Sequence, residues 1–243
     1  MKIFKHFFSS LWVLGLVAVS FSSCNDDDDA EPTLDVRADA VVEKSMIQEA
    51  NKYAAVFHVF ANQVIASAKV TTPVEEALPI DLVKEGTGGT YFVYEPAVED
   101  YLDVMPQAGE YVFEITMASG EMVTLKEEIS NKEIDVIVAK KLEFNEDKKL
   151  AIEWDEIDGA DTYDITIFNE KGDVAKFYSG FLKKDVTSVE LGNFTAGWLQ
   201  GYVPVPGETY KVQLKAYLFE EGTYDPLYNV QCITSDNQYI DWQ

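Results

Sequence analysis

Hydrophobic and polar positions alternate along most of this chain with a period of two. Leu150, Ile152 and Trp154 alternate with Ala151 and Glu153. After the loop Asp155–Asp161, Tyr163, Ile165 and Ile167 alternate with Asp164 and Thr166. Tyr210, Val212, Leu214, Ala216 and Leu218 then alternate with Lys211, Gln213, Lys215 and Tyr217. The same pattern predicts strands earlier in the chain. Tyr53, Ala55, Phe57 and Val59 form one apolar row, with His58 on the opposite, outward face. Tyr111, Phe113, Ile115 and Met117 form another, and the run resumes at Met122 after Ala118-Ser119-Gly120-Glu121, which predicts a hairpin. Residues 41–54 fit helical spacing as well, through Val42, Met46, Ala50 and Tyr53, and are assigned to strand. Short strands, frequent turns and no long helical repeat predict an all-β protein of sandwich type.

Two phrases sharpen this. Trp154 closes one strand, Gly159-Ala160 precede Tyr163 in the next, and Pro206-Gly207-Glu208-Thr209-Tyr210 opens a late strand. This constellation resembles a fibronectin type III domain. The resemblance implies that Trp154 and Tyr163 fill the core, and that Tyr210 forms a tyrosine corner bonded back to the preceding turn. The phrase Pro106-Gln107-Ala108-Gly109-Glu110-Tyr111 echoes it in the first half and implies a second, immunoglobulin-like sandwich. The polar stretch Ser130-Asn131-Lys132-Glu133 is the natural boundary. The expected plan is an immunoglobulin-like sandwich over 34–131 and a fibronectin type III-like one over 132–243. The connection Leu191–Tyr210 is longer than such a domain needs.

The N-terminus has a different character. Lys2 and Lys5 precede an apolar run, Leu11–Phe21, too short to span a bilayer as a helix and of the length of a signal h-region. Ser22, Ser23 and Cys24 follow, then Asn25 and the run Asp26–Asp29. Residues 1–23 read as a signal peptide, and Cys24 in this register resembles the lipidated cysteine of bacterial lipoproteins. Residues 24–33 then form an acidic tether, held extended by charge repulsion. The acidic run resembles the surface-export signal of Bacteroidota lipoproteins, which implies an outer-membrane protein displayed at the cell surface; a periplasmic lipoprotein with a solvated spacer is the alternative. The whole resembles a cell-envelope lipoprotein of that group, with the lipid on Cys24 as its membrane contact.

Charge narrows the partners. The chain carries a net charge of −24, and removing 1–23 takes two lysines and no acid, leaving −26. Such a balance excludes a basic nucleic-acid-binding surface and disfavours direct adhesion to anionic lipid. Two histidines and two cysteines exclude a Cys/His metal cluster, and no metal or cofactor is expected. The acidic loop Asp155, Glu156, Asp158, Asp161 lacks the spacing of a calcium loop and reads as solvated. No nucleophile elbow, phosphate loop or His-Glu-x-x-His motif occurs, so the chain is read as non-catalytic. Cys232, in a strand-like run, reads as a buried thiol. Trp198 and Tyr202 in the long connection, with Trp242 at the C-terminus, are the candidate ligand-binding residues. Exposed, these rings would suit the apolar faces of sugars; folded back, Trp198 would plug the open edge of the sandwich. The expected function is a binding or interaction module, with a glycan or another envelope protein as partner. The alternative is a structural or adhesin-type assembly subunit.

Overall fold

A computed structural model describes residues 33–222 and 229–243. Cys24, the signal region and the acidic run lie outside the described residues. The described chain is all β, in chain order β1 (Val36–Ile47), β2 (Ala50–Ala61), β3 (Ile65–Thr71), β4 (Ile80–Asp81), β5 (Val83–Lys84), β6 (Tyr91–Tyr94), β7 (Gly109–Met117) and β8 (Met122–Ile129). The second half supplies β9 (Ala139–Phe144), β10 (Leu150–Trp154), β11 (Thr162–Asn169), β12 (Ala175–Tyr178), β13 (Leu182–Lys183), β14 (Ser188–Leu191), β15 (Thr209–Phe219) and β16 (Val230–Asp241). Residues 41–54 are strand, not helix. The β1–β2 hairpin turns through Gln48 and Glu49, which hold φ of 51° and 64°.

The strands form three sheets. One has nine strands, ordered β12-β11-β15-β16-β1-β2-β6-β5, with β13 also on β11. The others are β4-β3-β7-β8 and β14-β10-β9. In the second half, β14-β10-β9 packs on β12-β11-β15-β16, bringing Trp154 of β10 to 5.6 Å from Tyr163 of β11. In the first half, Phe57 of β2 packs on Tyr111 and Phe113 of β7. Both tyrosine corners form. Tyr210 Oη accepts from the Val205 amide at 3.0 Å, and Tyr111 Oη donates to the Gln107 carbonyl at 2.8 Å.

The two halves share a sheet. β1 runs parallel to β16, with Val42 opposite Cys232, so the nine-stranded layer is continuous through both. The connection from β8 to β9 lies along β16 and is tied to it by side chains. Ser130 N–H donates to Gln231 Oε1, Ile137 N–H to Thr234 Oγ1, and Ala139 N–H to Asp236 Oδ2. Lys44 of β1 reaches the same stretch, pairing with Glu133 at 3.0 Å and donating to the Ile134 carbonyl at 3.0 Å. The polar boundary near residue 131 is thus a bound connection, held at Ser130, Ile137 and Ala139 by side chains of β16.

Candidate functional site

The outer face of a sandwich sheet ordinarily faces water, and the alternation of Lys211, Gln213 and Lys215 with apolar residues predicts that here. The structure departs from it. β11 and most of β15 are buried on both faces, including Asp164, Lys211, Gln213 and Lys215. The outer face forms a covered trough: Lys215 of β15 lies near enough to His58 of β2, three strands away, to act on its charge. Further segments close over the face. Tyr101, beyond β6, donates its hydroxyl to Glu43 of β1, and Phe181 sets its ring edge-on to Tyr217 at 5.4 Å. Val41, Val56, Val93, Tyr217, Val230 and Ile233 make a second apolar cluster under this cover.

The polar groups of the trough fall into an enclosed and an open part. In the enclosed part, His58 is 5% exposed and its Nδ1 lies 2.8 Å from Tyr91 Oη. Burial first, and the Lys215 charge second, push its pKa down to about 3, so the ring stays neutral. The outward face expected for His58 is the right face, but it is covered. Asp164 sits opposite Lys215 across β11–β15 and accepts from Tyr217 Oη. Burial raises the Asp164 pKa, while Lys215 and the Tyr217 bond hold it back.

The open part is a cleft of about 210 Å³ where β1, β15, β16 and the segment after β6 meet. Glu43, Glu95, Tyr101, Lys211, Gln213 and Asn237 supply its polar groups, and Met46, Val98 and Val138 are exposed beside them. Gln213 Nε2 donates to Asn237 Oδ1 at 3.0 Å. Burial and Lys215 lower the Lys211 pKa, and Glu95 and Glu43 counter them. The cleft is smaller than the roughly 300–1,000 Å³ of drug-sized sites, and its donors and acceptors of both signs suit a small neutral polar group. Sequence reasoning missed it because alternation assigns each polar side chain to solvent, strand by strand.

The aromatic residues singled out from the sequence lie elsewhere, at the end of the second sandwich. Trp198 is half-buried; its Nε1 donates to the Gly192 carbonyl at 2.9 Å, and its ring stands edge-on to Phe177 at 5.1 Å and Trp242 at 5.3 Å. Gly197 makes this approach possible. Its φ is 118°, and a Cβ there would fall 2.6 Å from the Tyr178 carbonyl oxygen. Trp242 is 1% exposed, enclosed by Phe144, Trp198 and Tyr210, with Nε1 donating to Asn193 Oδ1 at 2.9 Å. It has no ring face left for a ligand. Tyr202 shares a 2.7 Å hydrogen bond with the Tyr210 hydroxyl, and Lys176 Nζ stands 4.7 Å from its ring centroid. Together the three rings close the open end of the sandwich.

The acidic loop after β10 does not converge. Its four acids are exposed, Asp155 pairs with Lys140, and Asp161 Oδ2 accepts from the Phe219 amide at 2.8 Å. Cys232 is a buried free thiol whose pKa burial raises to about 11.

The strands therefore define an all-β double sandwich built on one shared sheet. No protein-family model matches the chain, and no curated protein matches it. Among solved structures, a cytokine receptor complex aligns over 86% of this chain and 96% of its own at 10% identity, with a TM-score of 0.28. The FN1–FN3 domains of chicken CNTN1 align over 85% and 68% at 10% identity, with a TM-score of 0.30. A DUF3823 family protein from Bacteroides uniformis aligns over 85% and 100% at 9% identity, with a TM-score of 0.29.

Proposed function

We propose that this chain is a non-catalytic interaction module, anchored in the outer membrane by lipid on Cys24 and displayed at the cell surface, and that the cleft on its shared sheet holds the hydroxyl-bearing end unit of a glycan. The cleft carries this reading. Lys211, Gln213, Asn237 and Glu43 set amide, ammonium and carboxylate groups side by side, the mixture that hydroxyl-rich ligands require. Trp242 is enclosed and Trp198 and Tyr202 pack beside it, which favours the cleft over these three rings as the ligand position. The described histidine supports the absence of catalysis, since His58 is enclosed and bonded to Tyr91 rather than set beside a nucleophile at an opening. Assembly by strand addition finds less support. The sheet edges β4, β5, β12, β13 and β14 are two to four residues long, and β8 and β9 carry outward lysines and glutamates, which discourage pairing with another chain.

Three experiments test the proposal. The double variant Gln213→Ala, Asn237→Ala should keep the wild-type melting temperature within a few degrees and lose retention on the glycans that the wild-type chain binds on an array. Undiminished retention would remove the cleft from the reading. Cys24→Ala should leave the washed membrane fraction, because acyl chains supply about 0.8 kcal/mol per buried methylene. Protease added to intact cells should cleave the wild-type protein; protection until the outer membrane is opened would place it in the periplasm.

A further inference from the structure

Three carboxylates from three different elements converge beside the trough. Asp39 lies on β1, Glu127 on β8 and Glu220 directly after β15, and their oxygens stand within 4.8 Å of one another. Close acids are expected by chance in a chain this acidic. The state of Asp39 is not. It is 2% exposed; its Oδ2 accepts from the Val230 amide at 3.3 Å, while Oδ1, fully enclosed, has no hydrogen-bond partner. A buried carboxylate oxygen left without a donor is costly, and native structures normally satisfy such atoms with protein, water or an ion.

We propose that Asp39, Glu127 and Glu220 bind one hard divalent cation, calcium. Calcium takes carboxylate oxygens at about 2.3–2.6 Å, so ligands on opposite sides of it lie about 5 Å apart, the spread this trio already has. Three oxygens from a strand, a facing strand and a strand end make an irregular set. Calcium tolerates that, whereas magnesium demands a near-ideal octahedron. Zinc would favour nitrogen or sulfur, and His58, the cross-strand neighbour of Asp39, is bonded through Nδ1 to Tyr91. The electrostatics agree. Burial, then mutual repulsion with Glu220, raises the Glu127 pKa to about 7, and burial with neighbouring acids pushes Asp39 upward too. A bound cation would reverse that repulsion and fasten β1 and β8 of the first half to the end of β15 in the second.

The test uses the full chain, stripped of metal and melted in about 5 mM calcium chloride or in sodium chloride of equal ionic strength. Wild type should gain about 2–8 °C in calcium over sodium, the shift expected for a site in the 10⁻⁴–10⁻³ M range of extracellular modules. Equilibrium dialysis should reach one saturable equivalent. Glu127→Gln and Glu220→Gln, half-buried and nearly isosteric, should each abolish the gain, while Asp158→Asn in the acidic loop should retain it. Equal melting in the two salts, binding that never saturates, or a gain that survives in both glutamine variants would each overturn the proposal.

Discussion

His58 shows how far a single residue can depart from its strand pattern. It lies on the face that alternation gives it, yet it is buried there, and burial with the Lys215 charge holds its pKa at about 3. The unfolded chain protonates this histidine at about 6.5. Its folded pKa is lower, so its contribution to stability is complete above pH 6.5 and is lost as pH falls toward 3. Glu127 works in the opposite sense. Its raised pKa makes folding less favourable as pH rises from the ordinary glutamate range through about 7. Comparing His58→Phe with wild type cancels that background. The stability difference between the two should change by about 1.4 kcal/mol per pH unit between about pH 6 and 4, measured by urea unfolding. A difference independent of pH would mean that His58 is solvated. Trp198 makes the complementary point. With its ring packed on Phe177 and Trp242, Trp198→Ala should cost about 2–3 kcal/mol, less than the roughly 3–5 of a fully buried ring. A loss below about 0.5 kcal/mol would show a surface platform instead.

At the scale of elements, the sequence was informative wherever one face of a strand meets the core. The rows Tyr163-Ile165-Ile167 and Tyr111-Phe113-Ile115 are buried where alternation places them, and both proline-to-tyrosine phrases form their corners. Alternation cannot say what covers the other face, because that depends on segments distant in sequence, such as Tyr101 over Glu43. The cleft and the Asp39 cluster were invisible for this reason. The strand assigned to residues 41–54 is present, but turn chemistry hid the hairpin turn that divides it. The two-residue link of β1 and β2 holds Gln48 and Glu49 at positive φ, a type I′ geometry that favours Asn-Gly and in which ordinary side chains are strained by about 1–2 kcal/mol each. The helical spacing of residues 41–54 had no Asn-Gly signal to oppose it. Both positions are exposed, so Gln48→Asn with Glu49→Gly should stabilise the chain by about 1–2 kcal/mol without altering the cleft. Loss of stability in the pair would show that the turn adopts another conformation.

At the scale of the whole molecule, the parallel β1–β16 pair decides how the halves behave. Two sandwiches joined by a free linker would unfold separately. Here β16 has β15 on one side and β1 on the other, and the 130–139 connection is bonded along its length. Cutting at residue 131 would strip β16 of a neighbour, exposing Cys232 and Ile233 on one fragment and Val41 and Val42 on the other. The exposed edges would be long, apolar strands of the kind that aggregate or seek a partner. Fragments 34–131 and 132–243 should therefore each lack a cooperative melt when produced alone, and regain one on mixing as β1 docks on β16. The intact chain should melt in a single transition, with calorimetric and van't Hoff enthalpies in agreement. Two fragments that each melt cooperatively near the intact temperature would mean that the shared sheet contributes little, and that the halves are joined in sequence but independent in energy.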